Sequence, residues 1–185
     1  MGGGLSSRAC VPVCQQQDVK MNFNKGDRVV HKKFGVGTVV STEGMNLSGN
    51  GQRLFYRVDS FKTAVWVPVG DPPEGGLRPI TPKGNLDRYR ALLKSSPVSL
   101  DGNFHQRRSE LEKRMDMGTF QGLCEVIRDL NGLNAEKPLN NYEKKLLKQT
   151  REALVIEWSL TSGVSQSETI DEIDGCLKHG SELRQ

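Results

Sequence analysis

The residues best suited to chemistry in this 185-residue chain lie between Asn103 and Arg114, and the chemistry they suit is contact with a polyanion. Gln106, Arg107, Arg108, Lys113 and Arg114 recur at helical spacing and are expected on one outer face, with Leu111 and Met115 pointing inward. Phe104 stands beside Asn103 in the first turn, where unpaired helix N–H groups and the dipole favour phosphate. On pattern alone Phe104 has two readings, a core residue or an exposed wedge that enters between base steps from the minor groove. Lys144, Lys148 and Arg151 recur every three or four positions further on, the spacing of a solvated helix face or of a row that tracks phosphates. Trp66, on an earlier strand, is expected to face outward, as a partner contact or as cover for a neighbouring helix.

No catalytic constellation accompanies these residues. The chain has no phosphate-cradling glycine loop, no HExxH and no nucleophile in a recognisable setting, so no enzyme activity and no small-molecule substrate are expected. Asp171, Glu172 and Asp174 read as a solvated acidic face. Cys10 and Cys14 lack a second ligand pair, and His31, His105 and His179 are isolated, so neither a metal nor a cofactor is expected. Four scattered cysteines do not make a disulfide framework. With no long apolar run and no signal-peptide pattern in the first 20 residues, the expectation is a cytoplasmic protein that does not engage a membrane. The net charge of +4 is concentrated in residues 21–115, a mild pointer to nucleic acid.

The elements that must carry these residues fall into two sets, an α+β organisation. Residues 1–20 read as a disordered tail, and 21–82 as a small Tudor-like or SH3-like β-barrel. Its strands are expected over Phe23–His31, Gly37–Thr42, Leu54–Val58 and Ala64–Val69, with a hairpin turn at Ser48–Gly51. Leu54, Tyr56 and Val58 are read as inward and Phe55 and Arg57 as outward; Val65, Val67 and Val69 are read as inward. Leu77–Ile80 closes the sheet after a loop rich in Pro and Gly. Gly35 and Gly37 fit a corner that a Cβ would obstruct. Residues 83–180 read as a bundle of about five helices. The first holds Leu86 and Tyr89, the second runs from near Asn103 to Met117, and the third is capped by Thr119. The fourth opens on an Asn140/Glu143 capping box, and the fifth opens on Ser165/Glu168 and buries Ile170, Ile173 and Leu177.

Two segments resemble the CarD/CdnL family of bacterial transcription regulators. One is Phe23-Asn24-Lys25-Gly26-Asp27-Arg28-Val29-Val30 through Gly35, with Val65-Trp66-Val67-Pro68 and Leu77-Arg78-Pro79-Ile80. The other is Glu125-Val126-Ile127-Arg128-Asp129-Leu130 and Glu136-Lys137-Pro138-Leu139-Asn140-Asn141-Tyr142-Glu143-Lys144-Lys145-Leu146-Leu147. The barrel segment also resembles the Tudor-like tail of UvrD-type helicases and the polymerase-interacting module of transcription-repair coupling factor; the helical segment is particular to CarD-like proteins. The resemblance implies a monomer whose barrel docks on the RNA polymerase β subunit through Arg57, Val65, Trp66 and Val67. It implies that the helical domain meets promoter DNA in the minor groove at the upstream edge of the bubble. Phe104, Arg107 and Lys144 fall at family positions, Gln106 falls where some relatives carry Arg or Lys, and Asn103, Arg108 and Arg114 are expected to join them from the helix pattern. The resulting function is stabilisation of the open complex without sequence readout. Phe104 stands where relatives usually carry Trp, and Trp66 where some carry Arg. Two other functions remain open: a polymerase-bound adaptor for another protein, and a DNA-repair-associated DNA-binding protein.

Overall fold

A computed structural model describes residues 22–46, 52–60, 63–70 and 76–182. Strands β1 (Arg28–His31), β2 (Gly35–Asn46), β3 (Gln52–Ser60), β4 (Ala64–Pro68) and β5 (Leu77–Pro79) form one antiparallel sheet of order β4-β3-β2-β1-β5. Five helices follow: α1 (Leu86–Lys94), α2 (Phe104–Asp116), α3 (Phe120–Glu136), α4 (Asn141–Ser162) and α5 (Gln166–Glu182). The expected α+β class, a small β-barrel-like unit followed by helices, is therefore present. The hairpin turn at Ser48–Gly51, the Pro72–Pro73 loop, the tail 1–20 and Cys10 and Cys14 lie outside the described residues.

Two glycines set the β1–β2 corner for different reasons. Gly35 has φ +74°, a conformation that costs an L side chain, while Gly37 sits where a Cβ would lie 2.7 Å from Val58 Cγ1 and 2.9 Å from the Asp59 carbonyl. Gly37→Ala must therefore push β3 away from β2. We expect it to cost about 1–3 kcal/mol, as overpacking does, read by thermal unfolding; an unchanged melting temperature would contradict the packing described. At the same corner the His31 Nδ1 accepts from the Lys33 and Phe34 N–H groups at 3.0 and 3.3 Å. Burial, with Lys32 and Lys33 adding to it, holds this imidazole below its usual range. The unfolded chain then binds a proton that the folded chain does not, so stability falls as pH drops from about 6.5 toward the lower folded value. A His31 titration followed by NMR should give a midpoint below 6.5 in the folded protein.

The β core gathers Val29, Val39, Tyr56 and Val58, with Phe23, Val69 and Leu77 packed against it. Arg28, not Phe23, starts the first strand, because Gly26 (φ +95°) turns the chain just before it. Tyr56 and Val58 are inward as expected, but Leu54 is 54 % exposed and Phe55 is buried. Leu54 lies opposite Gly44, past the last β3–β4 pair (Phe55 with Pro68), where the hairpin outruns its neighbouring strand.

Helix ends follow the local chemistry. Thr119 accepts from the Gly122 N–H, Asn140 and Glu143 form a reciprocal capping box, and Ser165 and Glu168 make the same pair of bonds ahead of α5. The main helical core packs Leu86, Leu93, Phe120, Ile127, Leu154, Trp158 and Ile173, and a second cluster packs Leu111, Val126, Leu130, Leu133 and Leu139. Ile173 and Leu177 are buried as expected, whereas Ile170 is exposed. Glu172 and Asp174 are not simply solvated: Glu172 pairs with Arg90 and accepts from the Trp158 indole at 3.2 Å, and Asp174 pairs with Arg151.

Among the described residues the sheet and the helices meet at a charged joint. Arg78 on β5 donates two parallel bonds to Glu157 of α4 at 2.6 and 2.7 Å, and its Nε donates to the Gly118 carbonyl at 2.6 Å. Glu157, only 1 % exposed, also accepts from the Thr81 N–H (3.1 Å) and hydroxyl (2.7 Å). Thr161 returns a bond to the Thr81 carbonyl at 3.1 Å.

Candidate nucleic-acid and polymerase interfaces

The first candidate surface is assembled where the N-termini of α2 and α4 meet. Asn103 caps α2, its side chain accepting from the His105 N–H at 2.9 Å and the Gln106 N–H at 3.5 Å. This occupies donors that a phosphate at the helix end would need, so phosphate capture there is not what the geometry offers. Arg107 is buried, contrary to its expected place on the outer face. Its Nε donates to Glu143 Oε1 at 2.7 Å and its Nη1 to the carbonyls of Asp101 (2.6 Å) and Gly102 (3.1 Å). Glu143 also caps α4, so one carboxylate ties the loop before α2 to the start of α4. Arg114 is likewise drawn inward, paired with the buried Asp129 at 2.7 Å and with Glu110. The cause in both cases is a carboxylate on a packed neighbour, which a one-helix wheel does not include.

Phe104, Gln106, Arg108 and Lys144 remain at the surface. Gln106 lies against Asp101, its amide nitrogen 2.9 Å from that carboxylate in the orientation that satisfies both groups. Arg108 donates to Glu112 at 2.8 Å and lies 4.7 Å from the centre of the Tyr142 ring. Tyr142 donates to the same Glu112 at 3.3 Å. Arg108 holds the Glu112 carboxyl below its usual range, while burial and Glu112 raise the Tyr142 phenol. Phe104, 36 % exposed, meets Tyr142 edge to face at 6.3 Å and 86°. Lys144 has no ion-pair partner among the described residues, while the three α2 arginines are each paired with a carboxylate. Positive potential here is therefore weaker than the residue count implies.

The second candidate surface is the outer face of β4, which in the described sheet pairs only with β3 and so presents an edge. Trp66 is 44 % exposed, stands opposite Arg57, and donates from its indole to Glu43 at 3.2 Å. The Arg57 guanidinium lies 5.9 Å from the Trp66 ring. Val67 is buried and Val65 half-buried, so at these positions it is the strand backbone, not the side chains, that a partner would meet. The sequence missed Glu43 as the residue that orients Trp66, and missed Tyr142 beside Phe104 and Glu112 bound to Tyr142. Cross-strand and cross-helix partners leave no local signal.

Cys124 and Cys176 are buried free thiols, and burial pushes both upward from their usual range. Among the described residues no cluster of His, Cys, Asp or Glu is arranged to hold a metal, and no helix is long and apolar enough to cross a membrane.

Two comparisons with known proteins agree with this architecture. The family described as CarD, C-terminal domain, matches residues 89–174, which contain both Phe104 and Tyr142. A protein of Bacillus subtilis (strain 168), named "Putative transcription factor YdeB", is 24 % identical over 147 residues, covering 79 % of this chain and 96 % of that one. Residues 89–174 of the helical half thus match a CarD C-terminal domain, and the two comparisons together support a CarD/CdnL-like family.

Proposed function

We propose that this chain is a non-enzymatic regulator of transcription initiation that binds RNA polymerase and stabilises the promoter open complex. The CarD C-terminal domain match and the similar Bacillus subtilis protein support the coarser statement, that it is a transcription-related factor. In the finer reading, the β4 edge and Trp66 dock on the polymerase β subunit, and the α2–α4 surface carries Phe104 to the upstream edge of the bubble. The observation that carries it is the exposure of Phe104 on a braced helix start within the matched domain. An apolar wedge there acts by unstacking a base step, without reading sequence.

Energetically the role is modest. A contact worth about 1.4 kcal/mol shifts the closed–open balance roughly tenfold. A tethered protein obtains that shift from weak DNA affinity, because docking raises the local concentration of the wedge. The paired arginines of α2 fit this requirement, since tight free DNA binding is not needed. The lifetime of promoter complexes measured with Phe104→Ala tests the wedge: roughly a tenfold loss of the stabilisation is expected, with polymerase binding intact. An unchanged lifetime would remove Phe104 from the role. Trp66→Ala is expected to weaken polymerase binding about tenfold or more, as interface tryptophans do, read by titration of labelled chain with polymerase.

A further inference from the structure

We infer that Tyr142, from α4, is the second half of the DNA-contacting site, and that the Phe104–Tyr142 corner takes a single unpaired nucleobase in preference to an intact base step. The inference rests on the reading of Phe104 proposed above and specifies its ligand.

The two rings come from different helices yet sit at 6.3 Å and 86°, edge to face. A planar group can lie flat on only one ring of such a pair, with the other ring against its edge. That shape fits one base turned out of the stack, whereas two stacked bases would meet the second ring. Tyr142 is not free to swing aside. Arg108 lies over its ring at 4.7 Å, its hydroxyl is held by Glu112 at 3.3 Å, and Arg108 is bound to the same Glu112 at 2.8 Å. Beneath these, the buried Arg107–Glu143 bond fixes the two helix starts against each other. The corner is therefore set before any ligand arrives, which reduces the ordering cost of binding. Base–aromatic stacking tolerates any base, in keeping with a contact that does not read sequence. Lys144 and Lys145, exposed on the turn that follows Tyr142, supply charge for the adjoining phosphates.

Promoter-complex lifetimes with polymerase and wild-type chain, Phe104→Ala, Tyr142→Ala, Tyr142→Phe and the double alanine variant test this, with 2-aminopurine at the upstream bubble edge reporting base unstacking. Tyr142→Ala is expected to lose roughly three- to tenfold of the lifetime gain and to change the 2-aminopurine signal. Tyr142→Phe should retain both, because the ring remains, and the double variant should be no worse than Phe104→Ala, because the two rings serve one site. Circular dichroism of each variant separates loss of the site from loss of the fold; if Tyr142→Ala unfolds, Tyr142→Leu, which keeps bulk without a ring, carries the test and is expected to behave as described for alanine. A wild-type lifetime with Tyr142→Ala while Phe104→Ala shortens it would overturn the shared site and leave the wedge standing. Equal signals from a duplex and a frayed edge would overturn the unpaired-base preference. If neither variant changes the lifetime, the wedge reading itself fails.

Discussion

Glu143→Ala is expected to destabilise the chain by about 3–5 kcal/mol, the range seen when one partner of a buried ion pair is removed. The side chains of Arg107 and Glu143 are only 6 % and 3 % exposed, so the guanidinium would be left without its counter-charge in a dry site. The same carboxylate accepts from the Asn140 N–H, and losing that bond frays the first turn of α4 as well. Urea unfolding gives the number, and a loss under about 1 kcal/mol would contradict the burial described. The pair variant Arg107→Met/Glu143→Leu is expected to recover much of the loss, since apolar replacement of a whole buried pair is often neutral. The cost is therefore one of an unpaired charge more than of a missing attraction.

Glu157→Ala should be the next most severe, at about 3 kcal/mol, near the low end of the same range because the Arg78 side chain retains 21 % exposure. It removes both parallel bonds from Arg78 and the acceptor for Thr81 at once. The functional consequence differs from that of Glu143→Ala. Arg78 sits on the last strand and Glu157 in the longest helix, so their bond fixes the sheet relative to the helices, the two parts that the proposed function assigns to docking and to DNA contact. Polymerase binding by the variant should persist while the gain in promoter-complex lifetime falls. Glu157→Gln, which keeps an acceptor for Thr81, should be milder on both counts. A Glu157→Ala chain with wild-type stability and wild-type lifetime would show that the joint does not transmit position.

The parts legible in the sequence were those governed by neighbours in the chain. The capping box of α4, the Thr119 cap and the Ser165/Glu168 start of α5 follow from side chains three residues apart, and each forms as read. Gly35 and Gly37 were legible for a related reason, since a corner between strands demands them. What escaped was set by packing between elements. Arg107 and Arg114 read as outward because their own helix is polar around them, but Glu143 and Asp129 come from α4 and α3. Leu54 alternates correctly yet lies past the last β3–β4 residue pair, where its carbonyl accepts from the Val69 N–H at 2.8 Å and its side chain stays exposed. Tyr142 gave no sign of its place beside Phe104, because 38 positions, with α3 and two turns among them, separate the two.

The central claim is that the chain, once bound to polymerase, delivers Phe104 to the upstream edge of an opened promoter. A footprint of the promoter complex with and without the chain tests this most directly. The account predicts added protection confined to the upstream bubble edge, present only with polymerase and lost with Phe104→Ala. An unchanged footprint with the chain still bound to polymerase would contradict it and favour an adaptor for another protein; protection by the chain alone, steeply dependent on salt, would contradict it in favour of a general DNA-binding protein.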